Sequence, residues 1–343
     1  MILKGFDLKI GPMRNYPIIR QVSGSLRPLW QKAIFSCLLF VVPLGLLALP
    51  GLAGCKGPEP ESSTDVLKIL CTTEMLAEPV RRMVPPEIQV EHLMGSGVDP
   101  HLYKPTPKDL RKILRADLVF YHGHHLEGRM SEMLSQLEEN SPTVKAIAIC
   151  EKVPAGDLIL DESGTVDPHF WLDVPLWLKV CANLKSALLE SGQLPVEDLN
   201  RRHSELVSDL EALHQSVLST LASIPPAKRV LVTAHDAFAY FGNRYEFEVH
   251  GIQGISTESE PSLKRVNQLV ELLSERKIPS IFVESTVPER NVLALIEGCQ
   301  KLGHQLTVGG KLYSDAPGPP ESGADSWSKM VRHNAQTIAE GLR

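Results

Sequence analysis

The sequence has no C-x-x-C pair, no basic patch with interleaved aromatics and no H-E-x-x-H helix. Each absence removes a class of function. With no paired cysteines a thiolate metal site is not the expected reading, and Cys71, Cys150, Cys181 and Cys299, each inside an apolar segment, read as small buried hydrophobes. An oxidising compartment would permit a disulfide among them. With no basic patch, and a formal net charge of −6 from 35 Lys+Arg against 41 Asp+Glu, nucleic acid is not the expected partner. Without H-E-x-x-H, the common metalloprotease arrangement of two zinc ligands and a general base on one helix is missing. What remains is an ordinary globular composition, 43% hydrophobic and 22% charged, and 343 residues are enough for two domains with cores.

The first 54 residues read as an export signal. Arg20, Arg27 and Lys32 precede the apolar run Ala33–Leu49, and Leu-Ala-Gly-Cys follows at 52–55. A basic flank, a short apolar core and small residues before the cut describe a secretory signal. The cysteine directly after Leu-Ala-Gly resembles the bacterial lipobox, whose cysteine is acylated and becomes the first mature residue. A membrane span needs ~20 apolar residues; this run is shorter and Pro43 interrupts it. Residues 1–27 are longer than such signals usually run, which makes Met13 a candidate start. Cys37 leaves with the signal, Cys55 is the expected lipid-attachment residue, and 55–65 is a Pro/Ser/Glu tether. The expected location is therefore outside the cytoplasm, lipid-anchored to a bacterial membrane on its periplasmic or cell-surface face.

From residue 66 onward, short β-rich runs alternate with helical patterns. Strand candidates are 66–73, 88–94, 118–123 and 144–150, then 229–235, 248–255, 280–286 and 305–313. Four and four, with helices between, predict an α/β protein of two lobes, each with a mainly parallel, roughly four-stranded sheet. The lobes are expected at 66–194 and 226–343. Between them, Leu199, Leu206, Leu210, Leu213, Val217, Leu221 and Ile224 make one apolar stripe on a long helix over 195–225, bounded by Pro195 and Pro225-Pro226. A single rod of ~40 Å predicts small lobe movements rather than wide closure.

The tripeptide Asp-Pro-His occurs at 99–101 and again at 167–169. His101 follows the second strand candidate and precedes a helix opening at Thr106-Pro107, a good N-cap and first-turn pair. His169 follows the fourth strand candidate through a long loop, His235 ends the first strand of the second half, and Asp315 follows its fourth. All four come after strand carboxyl ends, where open α/β sheets place ligands, and two come from each half. Three imidazoles and a carboxylate in a cleft suit a divalent transition ion, Zn²⁺ first. A histidine taken alone is more often structural, and His92, His203, His214, His250, His304 and His333 are read so. His122, His124 and His125 occupy one run whose members cannot all face one ion, and they are read as cleft-rim or accessory residues, His124 and His125 foremost.

At these residues the chain resembles a known family. Gly95–Met130, DPHFWLDVPLW, Leu231–Ser262, IFVES and LYSD with MVRHN are similar to the zinc/manganese-binding lipoproteins of ABC importers, the TroA-like, cluster A-I solute-binding proteins. The resemblance runs from about Leu67 to the C-terminus. It implies two α/β lobes joined by one long helix, with the metal between them. It implies ligands at His101, His169, a variable third position that is His235 here, and Asp315. A glutamate at the third position would suit Mn²⁺ better; histidine shifts preference toward Zn²⁺. The long acidic and histidine-rich loop of many zinc binders is missing, and after Asp315 the usual Gly/Thr-rich segment is replaced by PGPPESGADSWSK.

The expected function is capture of Zn²⁺ or Mn²⁺ by a monomeric, lipid-anchored receptor that hands it to an ABC permease and its ATPase. No catalysis is expected. Competing readings are a secreted zinc-dependent hydrolase, with Glu258, Glu260 or Glu284 as base, and an adhesin in which metal only stabilises. Four protein ligands leave no coordination position for a hydrolase substrate. Binding is expected to weaken in acid as the histidines protonate.

Overall fold

The computed structural model describes residues 66–161 and 163–343. The signal and lipobox at 1–54, Cys55 and the tether lie outside the described residues. Every strand candidate contains a strand. In the first half these are β1 (Lys68–Thr73), β2 (Gln89–Met94), β3 (Leu118–Tyr121) and β4 (Lys145–Ala148), in spatial order β2-β1-β3-β4 with every pairing parallel. Parallel neighbours need crossovers, and α1 (Glu74–Met83), α2 (Pro107–Arg115) and α3 (Ser131–Asn140) supply them. Central β3 is buried along its whole length, whereas edge strand β2 exposes Gln89 and Glu91.

The chain continues through α4 (Val174–Glu190) and the long α5 (Val196–Leu221). The second half holds β5 (Val230–Thr233), α6 (Ala239–Tyr245), β6 (Glu248–Gly251), α7 (Leu263–Arg276), β7 (Ser280–Glu284), α8 (Arg290–Lys301), β8 (Thr307–Leu312) and α9 (Trp327–Leu342). Here the expectation of one four-stranded sheet needs correction. β5 pairs with β6 and β7 with β8, both parallel, as two separate two-stranded sheets. The β7–β8 register shifts between Ile281 and Phe282. Beside β5, the backbone N–H of His235 goes to the Glu284 carboxylate rather than to a ladder partner.

α5 is also shorter than predicted, ending at Leu221 rather than 225. Proline disfavours helix in the residue before it, so Ile224, ahead of Pro225, leaves the helix while its side chain stays buried. All six helical members of the apolar stripe are buried. They pack against α1, α4 and α9, in one continuous core that also contains Trp177 from the first half and Phe238 and Trp327 from the second. Cys71, Cys150, Cys181 and Cys299 are free and buried.

Candidate metal centre

His101 and His169 are held by local chemistry that their sequence neighbours specify, and His235 by a carboxylate from a distant strand. Thr106 caps α2 in a capping box with Asp109, and Tyr103 donates to Asp109 at 2.8 Å, fixing the helix that follows the His101 loop. The Asp99 carboxylate accepts the backbone N–H of His101 at 2.9 Å, and its other oxygen accepts from the Thr257 hydroxyl at 2.6 Å. That second bond joins the loop after β2 to the loop after β6. Asp167 does the corresponding turn for His169, accepting its backbone N–H at 2.9 Å and its Nδ1–H at 2.7 Å. Glu284, at the end of β7, accepts from the backbone N–H of His235 at 2.9 Å and from its Nδ1 at 2.6 Å. Two glycines allow the loops to close in. A Cβ at Gly251 would run into the backbone at Asp236, and one at Gly128, whose φ is +46°, would meet the His101 carbonyl.

The structure brings His101, His169, His235 and Asp315 together; one donor atom from each lies within 4.8 Å of all the others. His101 is 3% exposed and the others less. Nε2 of His169 stands 3.3 Å from Nε2 of His101 and 3.4 Å from that of His235. Asp315 Oδ1 is 3.4 Å from His169 Nε2 and 3.3 Å from His235 Nε2. With metal–donor bonds near 2.0–2.1 Å, a tetrahedron has edges of about 3.3 Å. The His169–His235–Asp315 face already has that size.

The tautomers sharpen the point. Because carboxylates accept from Nδ1–H of His169 and His235, the neutral rings carry their lone pairs on Nε2, aimed into the cluster. Asp315 Oδ1 is buried without a hydrogen-bond donor, while Thr286 donates to Oδ2 at 3.1 Å. Lone pairs facing one another in a dry site need a cation between them, and the residues fit a divalent ion.

Without that ion, protons supply the positive charge. Burial pushes the His169 pKa down, but Asp167 and Asp315 outweigh it and raise it to about 9. Burial is likewise outweighed at His235, which Asp315 and Glu284 hold well above the usual histidine value. Asp315 is held well below the usual carboxylate range by those two imidazoles, against the effect of burial. His101 has no carboxylate on its ring, and burial lowers its pKa to about 3.

His122 is not at the cleft rim, where the run was expected. His122 is a core residue: its Nε2 lies 2.8 Å from the Thr73 hydroxyl, and its ring is edge-on to Trp171, 5.0 Å between centroids. Trp171 in turn sits edge-on to His169 at 5.3 Å, so His122 lies behind the cluster. His124 and His125 do not join the four. Both have left-handed backbone, following Gly123, also left-handed, and His124 lies against Phe170 while His125 is exposed. Sequence reasoning also gave Glu284 the wrong part, as a candidate base; its place at a strand end was the signal available. Glu258 and Glu260 are exposed, the latter paired with Arg290.

Comparison with known proteins agrees with this architecture. A family model described as zinc-uptake complex component A, periplasmic (ZnuA), matches residues 69–341. The manganese-binding lipoprotein MntA of Bacillus subtilis is 39% identical over 300 residues, 87% of this chain and 97% of that one. The zinc-binding protein TroA of Treponema pallidum is 36% identical over 302 residues, 88% of this chain and 96% of that one. A solved structure of periplasmic TroA superposes with a TM-score of 0.76 at 38% identity, covering 81% of this chain and 99% of that one. With a parallel α/β fold, a buried His₃Asp cluster and matches of this extent, the chain belongs to the ZnuA family of metal-binding ABC-importer receptors.

Proposed function

We propose that this chain captures a divalent transition ion, Zn²⁺ in preference to Mn²⁺, outside the cytoplasmic membrane, and delivers it to an ABC permease driven by its ATPase. His101, His169, His235 and Asp315 are the proposed ligands. The observation that carries this is the convergence of three histidine rings on an orphaned carboxylate oxygen, with the His169–His235–Asp315 face at tetrahedral spacing. Names among the relatives include both metals; three imidazoles and one anion favour Zn²⁺ here. In this reading 66–194 and 226–343 act as the two lobes, joined through α5, and Cys55 carries the lipid that keeps a monomeric receptor beside its permease. A hydrolase reading has no support: Glu284 is committed to His235, and Glu258 and Glu260 lie on the exposed surface.

The test is uptake of radiolabelled Zn²⁺ and Mn²⁺ by bacteria with the gene deleted, then complemented with the wild-type chain or with His169→Ala. The reading predicts that deletion abolishes high-affinity zinc uptake and that only the wild type restores it. Normal uptake with altered surface attachment would instead support the adhesin reading.

A further inference from the structure

The helix after the His101 loop has an outer face that the metal site does not use. α2 buries only Asp109 and Ile113. Leu110 and Leu114, four residues apart, are 37% and 64% exposed. Arg111 and Arg115 follow them around the outer face and Lys108 and Lys112 lie on the flank toward β2, as two pairs of like charges at i,i+4. Like charges at that spacing destabilise a helix unless counter-charge relieves them. Glu91 pairs with Lys112 at 2.6 Å; Lys108, Arg111 and Arg115 have no ion pair among the described residues. These four side chains, with Lys68 and Glu91, line a shallow cavity of about 310 Å³ between α2 and the β1–β2 edge. The fold thus assembles a basic patch, one without interleaved aromatics.

The surroundings make that patch informative. The chain carries −6 overall, and residues 1–54 hold six of its cations against one acid, so the remainder is more acidic still. Lys68, the first residue of β1, is only 13 positions from Cys55, a reach of at most ~45 Å even fully extended. An anchor at Cys55 would keep this cavity within that reach of the lipid surface.

We propose that the outer face of α2 rests on anionic phospholipid headgroups, with its cations on phosphate and Leu110 and Leu114 entering the interface. Basic residues flanking exposed leucines on one helix are the chemistry of interfacial binding. β1 and β2 contribute their N-terminal halves to the cavity, the ends opposite the ligand cluster. The docked chain thus keeps its metal site away from the lipid. The proposal rests on the lipid-anchor reading above.

To test it, the full-length chain bearing Leu114→Cys is recovered from bacterial membranes, and acylation at Cys55 is read by mass spectrometry. An environment-sensitive fluorophore is placed at position 114, the other mature cysteines being buried. The protein is reconstituted into vesicles of phosphatidylcholine alone, or with phosphatidylglycerol. Each cation near an anionic surface strengthens attraction about five-fold, so K108E/R111E/R115E, which removes three and adds three acids, should weaken docking by at least about 100-fold. The expected result is a membrane-like signal on anionic vesicles only, lost in high salt and in the triple variant, which still binds one zinc ion. An equal signal on both vesicle types, or one that survives charge reversal, overturns the proposal. So does a signal that appears only when permease is added, which would give the surface to a protein partner. If Cys55 proves unacylated, the anchor reading fails separately. Flotation of the same chain with anionic vesicles alone would then uphold the lipid surface, and no flotation would overturn it.

Discussion

His169 and His235 differ from His101 in having a carboxylate on the ring nitrogen that faces away from the cluster. Partners of that kind fix the tautomer and raise ligand basicity, and losing one typically costs 10–100-fold in metal affinity. Asp167→Asn and Glu284→Gln should each weaken zinc binding by about that factor with the fold intact, as read by chelator competition; unchanged affinity would mean the carboxylates only pack. The pH dependence has a definite sign. His169 is raised from an ordinary value near 6.5 to about 9, so its protonated form stabilises the metal-free protein below pH 6.5, and that contribution is lost as pH rises through 9. Zinc must displace the proton, so affinity should rise about ten-fold per pH unit for each proton displaced across that window. The melting-temperature gap between loaded and metal-free protein should widen from pH 6.5 to 9; a constant gap would contradict it. Weakening therefore begins well above the acid range expected of free histidines. The four cluster residues were legible because strand ends and a repeated tripeptide point to them. The roles of Glu284 and Thr286 were not, because Glu284 depends on how the loop after β5 meets the end of β7, about fifty residues apart in sequence, and Thr286 on how the loops after β7 and β8 meet.

Helices and strands differ in how much of them the sequence carries. The stripe on α5 repeats often enough to name every buried member in advance, whereas its end depended on a single proline. Leu210, in the middle of that stripe, touches the core shared by both halves. Leu210→Ala should cost about 2–5 kcal/mol, lowering the melting temperature in calorimetry while leaving zinc stoichiometry at one. A loss of zinc binding without a loss of stability would mean α5 is part of the site rather than its support. The eight strands were visible as apolar runs; their division into two pairs in the second half was not. Pairing is a tertiary choice, and the register shift at Ile281/Phe282 and the glycines of β8 leave no pattern distinct from an ordinary strand.

On the scale of the whole molecule, three kinds of link join the halves: α5, the shared core, and hydrogen bonds close to the site. Trp171 donates to the Ser314 carbonyl at 2.6 Å, Trp327 to the Trp171 carbonyl at 3.0 Å, and Thr257 to Asp99. Loading should therefore change the radius of gyration in X-ray scattering only slightly; a large contraction would show a hinge that these links do not permit. The architecture follows from alternating strands and helices and a single rod, while the basic face of α2 emerges only once β1 and β2 stand beside it. The most direct test of the account is a calorimetric titration of the metal-free protein with Zn²⁺, followed by excess Mn²⁺. One tight equivalent of Zn²⁺ that Mn²⁺ does not displace is the predicted result. Tight stoichiometric binding of neither ion, or displacement of zinc by manganese, would contradict a tetrahedral His₃Asp zinc site.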